Sequence, residues 1–507
     1  MKTCYRQILL SWVVSAVIVI SGVKPAPAQN ALPQSIAELK HILTGFAAFS
    51  SSTQKSDSLN ALLDRLKAKT QIPFTTKDSV LFLVRASSGT VQIFGDHCGW
   101  SNETGVPFSA VKFPGLDVYT LALKLPSHAK SDYKVVLGSS WILDPLNSRQ
   151  QWGGFGPNST FWMPDYEVTT EMNPRSGIQK GSVTTNIRYN STLLGYAVNY
   201  RVYTPPGYTN GSGHPVIYFT DGHEYADQNL GAVPTIIDNL VADGKIPPVM
   251  AVFIDPRNPS TGANRRNSEL IKNAAFSDFI ATELVPFIDR NYKTAAVRTG
   301  RAIGGTSLGG FHSAWISARH PGVFGNVLIH SPAFHVDRTI IETWRTGSFP
   351  VKTFLSYGTL FDGTADARTF RDMLASSSYD FRSIERAEGH SWGQWRTLID
   401  EPMVYFFSNF STQTELHPEF PELTIKAYPN PFNPAVNLSV FSETPVKASW
   451  NISDLTGRII LNSGIETFVI TGITDSRIDM SGYASGVYIF NLVTEMGVFS
   501  RKLALVR

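Results

Sequence analysis

The stretch GGTSLGG, Gly304 to Gly310, sets Ser307 in the spacing G-x-S-x-G. A nucleophile on a sharp strand-to-helix turn needs small residues two positions before and two after it, because the tight backbone leaves no room for a side chain there. Spacing alone is weak. Glycine fills 39 of 507 positions, so a chain of this length holds about 0.2 such matches by chance. The flanks discriminate. RAIGG before Ser307 reads as a short strand, and GGFHSAWISARHPG after it reads as a helix with Ala314, Trp315 and Ala318 on one face, stopped at Pro321-Gly322. The amide of Leu308, at the helix start, is then placed to stabilise an oxyanion.

A serine alcohol needs a base, and the base needs a carboxylate to orient it. In doubly wound hydrolases the chain order is serine, acid, histidine. KTFLSYGTLFDG reads as a strand ending in a loop with Asp362, and YDFRSIERAEGHSWGQW as the last strand followed by a loop with His390. His312 and His320 fall on the helix after Ser307, and His330 and His335 flank the next strand, so His390 alone has the right order and setting. Asp366, one turn beyond Asp362, and Glu385 and Glu388 are rivals for the acid. VIYFTDGHEYAD gives another strand end, where the amide of His223 is the second expected oxyanion donor. His223, Glu224 and Asp227 form H-E-x-x-D, which lacks the second histidine of a zinc helix. No metal and no cofactor is expected.

The elements that must position these residues change texture along the chain. Residues 33–46 and 57–69 have helical apolar spacing, as in SLNALLDRLKAK. From residue 78 to about 163 short alternating runs such as SVLFLVRA and DYKVVLG, separated by turn residues, predict a small β-sandwich. Between about 177 and 410 strand-like and helical runs alternate, the pattern of a sheet with helices on both faces. STQTELHPEFPE then reads as a linker, and short strands return to the end. The expected division is a signal peptide 1–28, a helical lead-in 29–70, a β-sandwich 71–166, an α/β-hydrolase unit 167–411, a linker 412–423 and a C-terminal β-sandwich 424–507.

The length suits about three domains, and 42% apolar with 17% charged residues suits a folded chain. The start is different. Lys2 and Arg6, then ILLSWVVSAVIVISGV, then small residues at Ala26 and Ala28 make the three-part pattern of a secretory signal. The run is short for a membrane span. Residues 1–28 hold Lys2, Arg6 and Lys24 and no acid, so their removal takes the formal charge from +3 to 0. A neutral chain is not a nucleic-acid binder. Cys4 leaves with the signal and Cys98 is then alone, which excludes a disulfide-stapled scaffold.

VYTPPGY, VIYFTDGHEY, FIATELVPFIDRNYKT, GGTSLGGFHSAWISARHPGVFGNVLIHSPAF and AEGHSWGQWRTLI together resemble the enterochelin esterase-like branch of the esterase D family. The resemblance covers about 235 residues. It implies an α/β-hydrolase fold, with the nucleophile on Ser307, the histidine on His390 and the acid on Asp362. Two departures stand out: Asp362 is four residues after Gly358, where the family usually has three, and SPAFH replaces an aromatic pair after SPS. VQIFGDHCGW with FPGLDVYTLALKLPSHAKSDYKVVLG resembles the early-set, immunoglobulin-like domain that precedes such esterases. In it Trp100 reads equally as core or as a sugar platform. AYPNPFNPAVNLSVF, ISDLTGRII and ASGVYIFNLVTEMGVFSRKLALVR resemble the sorting domain of type IX secretion substrates, which implies that secretion machinery as a partner and no catalysis there.

The sequence thus predicts a secreted or cell-surface serine carboxylic-ester hydrolase, exported through the periplasm of a Gram-negative bacterium, with a small-molecule or polysaccharide ester as substrate. Feruloyl or acetyl esters of polysaccharide are the expected class. A siderophore trilactone esterase, an acyltransferase on the same triad and a non-catalytic glycan-binding protein are the alternatives. Against the siderophore, a strongly anionic catecholate calls for a cationic pocket, and Arg265-Arg266 is the one obvious basic cluster in the hydrolase unit.

Overall fold

The computed structural model describes residues 32–69, 71–210, 213–410, 423–454, 458–463, 468–494 and 497–507. The signal segment 1–28, and the linker 412–423 apart from its last residue, lie outside the described residues.

Two helices come first, Ile36–Ala47 and Ser52–Ala68. Each starts at a serine, Ser35 or Ser51, whose hydroxyl accepts a first-turn amide that no helical carbonyl can reach. Their buried leucines, among them Leu39, Leu59, Leu62 and Leu66, pack with Leu81 and Leu83 of strand Ser79–Arg85. Side chains alternate across a strand, so Val80, Phe82 and Val84 face the other way. They enter a second core with Ile93, Leu121, Tyr133, Val135 and Phe161. The nine antiparallel strands between Phe74 and Trp162 are therefore folded over this core, with the two helices on one outer face.

The central sheet also has nine strands, and its residues explain its layers. VIYF at Val216–Phe219 and MAVFID at Met250–Asp255 are buried throughout, as strands covered on both faces must be. Six strands run parallel in the spatial order Met250–Asp255, Val216–Phe219, Arg301–Thr306, Asn326–His330, Lys352–Gly358, Phe381–Arg386, and Ala197–Thr204 adds antiparallel to the first. One face carries helices Leu308–Arg319, Thr339–Thr346 and Thr364–Ser376, the other Val233–Ala242 and Asp400–Phe407. Strand order reverses between Val216–Phe219 and Arg301–Thr306. A crevice opens at the carboxyl edge where order reverses in such sheets, and ligands bind there.

The last unit is a six-stranded antiparallel sheet built on the long strand Ala435–Asp454, with Phe432, Val436, Leu438, Phe490, Leu492 and Leu503 in its core. Among the described residues no helix is long and apolar enough to cross a membrane.

Candidate active site

Ser307 sits between strand Arg301–Thr306 and helix Leu308–Arg319 at φ 59°, ψ −117°. A non-glycine residue there carries strain of about 1–3 kcal/mol, and its surroundings enforce it. Its amide donates to His330 O at 3.0 Å, and its carbonyl accepts from Phe311 N and Ala333 N, each at 3.0 Å. A methyl group on Gly305 would lie 2.5 Å from the Gly309 backbone, and one on Gly309 2.7 Å from Thr220 Oγ1. The two glycines are thus required by close approach.

Two strands further along, Asp362 and His390 meet. His390 Nδ1 lies 2.5 Å from Asp362 Oδ1. The other oxygen, Oδ2, accepts from Gly358 N at 2.5 Å and from the Ser331 hydroxyl at 2.6 Å. Asp362 is buried, and its three partners fix the carboxylate in plane and direction. Ser331 is itself held: Trp395 Nε1 donates to its Oγ at 2.8 Å, and the Gln394 amide lies 2.8 Å away. A hydroxyl has one proton to give and two lone pairs. With that proton on Asp362, the Gln394 contact is satisfied by its NH₂ group turned toward Ser331, an exchange of amide atoms that diffraction itself rarely separates. The Trp395 ring also stands edge-on to the His390 imidazole, centroids 4.9 Å apart.

The other wall lies across the reversal point. Asp221, at φ 52°, ends the turn after Val216–Phe219 and opens the short helix Gly222–Tyr225. Arg266 Nε reaches both Asp221 carboxylate oxygens at 2.9 Å, and its Nη2 donates to Thr306 O at 3.2 Å, so one guanidinium ties the His223 turn to the residue before Ser307. The amides of Leu308 and His223 both lie in the first turn of a helix, where no carbonyl of that helix can accept them. Burial, above all, pushes the His223 imidazole down to about 4, so the ring is neutral near neutral pH.

The amino-terminal sheet braces the histidine side. Lys130 N donates to Ala387 O at 3.1 Å, and Leu360 N, in the loop that carries Asp362, donates to Glu388 O at 3.0 Å. The Lys130 ammonium is 3.8 Å from Glu388 and 4.0 Å from Asp132, all three buried. Asp96 accepts from Asp132 N at 2.7 Å and Trp100 Nε1 at 2.9 Å. Its carboxyl group packs so closely on Gly389 that a methyl there would lie 2.2 Å from Asp96 Cγ. Trp100 thus holds Asp96 from within the amino-terminal unit, where it packs on the cluster of Phe94, Cys98 and Val136. Burial, and Asp132 next, push Asp96 up to about 8, and burial pushes Glu388 up to about 7 against the pull of Lys130.

The rivals are engaged elsewhere. Asp366 pairs with Arg338 at 2.8 Å, Glu385 with Arg368 at 2.6 Å, and Glu388 with Tyr166 and Lys130. His312 is buried against Phe276, His320 bonds Asp278 at 2.8 Å, and His330 pairs with Ser356. Among the described residues no group of three metal-ligating side chains converges. Sequence reasoning missed Ser331, whose signal was its place at the carboxyl end of Asn326–His330. It also missed Asp96 and Lys130, which have no local signal.

Residues 191–352 match the family described as "Putative esterase", and residues 426–506 match the secretion system C-terminal sorting domain. The central unit is a carboxylic ester hydrolase domain of the esterase family. Over 213 residues it is 28% identical to "Uncharacterized protein YjcH" of Bacillus subtilis, a match spanning 39% of this chain and 86% of that one. An endo-1,4-beta-xylanase/feruloyl esterase of Xylanibacter ruminicola is 30% identical over 164 residues, 30% of this chain and 22% of that one. An esterase of Mycobacterium tuberculosis is 28% identical over 145 residues, 28% and 31%. In structure the chain is similar to the ferric enterobactin esterase of Salmonella typhimurium, with TM-score 0.58, 19% identity and coverage of 68% of this chain and 98% of that one. That likeness gives the esterase domain its α/β-hydrolase-like fold. The sorting domain makes this a secreted or cell-surface protein.

Proposed function

We propose that the chain is a serine esterase in which Ser307 Oγ attacks the ester carbonyl while His390 Nε2 takes its proton. The amides of Leu308 and His223 receive the oxyanion, and Asp362 holds the imidazolium. The tetrahedral adduct expels the alcohol, which leaves with the proton from His390, and an acyl-serine forms. Water then attacks the acyl carbon, gives a proton to His390, and releases the acid as the proton returns to Ser307 Oγ. The observation that carries this reading is the 2.5 Å pairing of His390 with a buried, triply bonded Asp362 on the sheet edge that also bears the strained Ser307.

The substrate in this reading is an acylated polysaccharide outside the cell, reached through the periplasm of a Gram-negative bacterium, with an immunoglobulin-like β-sandwich at 71–166 and a C-terminal β-sandwich at 424–507 flanking the hydrolase unit 167–411. Three points support it. The Xylanibacter relative joins xylanase and feruloyl esterase in its name. The sorting domain directs the chain outward. The Arg265-Arg266 pair is engaged, Arg265 with Glu269 at 3.0 Å and Arg266 with Asp221 at 2.9 Å, so it is not a free anion receptor.

The test is a rate comparison of purified protein on p-nitrophenyl acetate, feruloylated and acetylated xylo-oligosaccharides, and a catechol trilactone. Faster release of ferulate or acetate is expected. A preference for the trilactone makes it a siderophore esterase, and transfer to an added alcohol in place of water makes it an acyltransferase. No turnover and no labelling of Ser307 by an organophosphonate leaves a glycan-binding protein on an inactive fold.

A further inference from the structure

The hairpin of Gln150–Gly153 and Gly156–Trp162 belongs to the amino-terminal sheet, yet it lies along the rim of the hydrolase. Its base packs on the helix Trp392–Trp395 just after His390: a methyl on Gly393 would lie 3.1 Å from Gln151 Cγ. Its tip packs on the residue after His223: a methyl on Gly154 would lie 3.0 Å from Glu224 Oε1. Glu224 Oε2 accepts from Trp392 Nε1 at 3.0 Å, which joins base and tip. The hairpin therefore runs from the histidine side of the cleft to its oxyanion side.

At the tip stands Phe155, fully exposed. An exposed aromatic ring beside a cleft offers a flat apolar face on which a ligand can stack. Planar polar groups lie next to the same tip. His223 and Glu224 are partly exposed, and Arg257, nearly half-exposed, forks onto Asp255, whose Oδ1 is 3.7 Å from His223 Nδ1. One flat apolar face beside several planar donors and acceptors matches a sugar ring, with its C–H face on one side and its hydroxyl groups at the edge.

We infer that Phe155, with His223, Glu224 and Arg257, forms a glycan subsite for the alcohol portion of the substrate, so that the amino-terminal unit contributes a specificity residue to the esterase. The alcohol side is chosen because the tip is open to solvent, where a polymer can continue in both directions. This inference rests on the esterase reading above, but its main test does not need turnover. In the Ser307→Ala protein, xylotriose and acetylated xylo-oligosaccharide binding is measured by calorimetry, with and without Phe155→Ala or Glu224→Gln. Each added substitution is expected to weaken binding about tenfold or more, the effect of losing one aromatic or charged contact. Binding as tight as in the parent overturns the subsite, as does a parent that binds neither sugar.

Turnover gives the second arm. In the active protein, Phe155→Ala should raise KM for feruloylated xylo-oligosaccharide several times more than KM for methyl ferulate, which has the aryl group and no sugar. An equal rise on both assigns the ring to the aryl acyl group and overturns the alcohol-side placement. Loss of sugar binding with p-nitrophenyl acetate turnover intact in the wild type defeats this inference alone. Sugar binding without any ester turnover defeats the esterase reading alone.

Discussion

Ser307 and His390 stand on one sheet edge but are held by different means. Around Ser307 everything needed is local or in the neighbouring strands: a strained turn, two small residues, and backbone bonds to His330, Phe311 and Ala333. His390 has a single side-chain hydrogen bond to Asp362, and its loop leans on another folded unit through Asp96, Lys130 and Tyr166. The Ser307 turn is built in, whereas the His390 loop is propped from outside. Damage to the amino-terminal sheet should therefore reach His390 before Ser307.

The largest effect expected from that contrast is at the residues themselves. Ser307→Ala and His390→Ala should each lower kcat on p-nitrophenyl acetate about 10⁵-fold or more while circular dichroism is unchanged. Near-normal turnover in either protein would remove it from the mechanism. Next, Asp362→Asn should cost about 10⁴-fold because the imidazole loses its orienting charge. Asp366→Asn, at a surface pair worth little, should stay within about twofold. The opposite ranking transfers the role of acid to Asp366.

A third substitution tests the prop. Asp96→Leu removes the acceptor of Asp132 N and Trp100 Nε1 behind Gly389, and a displaced base of even about 1 Å can cost about 100-fold. A fall of about 10- to 100-fold in kcat at constant KM is expected, with Asp96→Asn recovering most of it. Equal, wild-type-like rates in both variants would make the amino-terminal contact a bystander.

The smallest effect is a slope. The Asp96 and Glu388 carboxyl groups titrate near 8 and 7 in the fold, above their usual 3.8 and 4.5, chiefly because burial disfavours the charge. A raised carboxyl gives stability that is whole below the usual value and is lost as pH climbs through the folded one. The melting temperature should therefore decline between about pH 4.5 and 8, and Glu388→Gln should flatten its lower part. An unchanged slope in that variant would show that Glu388 is not linked to folding.

Much of this was legible because it is local. Small residues at 305 and 309, a strand before and a helix after are all within reading distance of Ser307, and strand-end position picked out Asp362 and His390. Ser331 escaped because its bond to Asp362 arises only when neighbouring strands are in register, and Gln394 and Trp395 escaped because they act one step further away, on the Ser331 hydroxyl. Lys130 and Asp96 escaped for a stronger reason: a lysine or aspartate in an alternating strand region has no sign that it is buried against another unit. Arg265-Arg266 shows where a visible cluster goes in the fold. By sequence the two adjacent cations are the one obvious basic cluster of the hydrolase unit, yet each pairs with a buried carboxylate of that unit.

The contact of Asp96 with Gly389 joins an early part of the chain to the last strand-loop of the hydrolase. Contacts so far apart in sequence form late, because most of the intervening chain must be ordered before they return any energy. The proposed triad of Ser307, Asp362 and His390 is then among the last things to assemble. A chain threading out of a cell half-made or half-folded would carry Ser307 on its turn but no braced base, so turnover becomes a clock for completed folding. An activity trace during refolding should lag behind the recovery of helix signal.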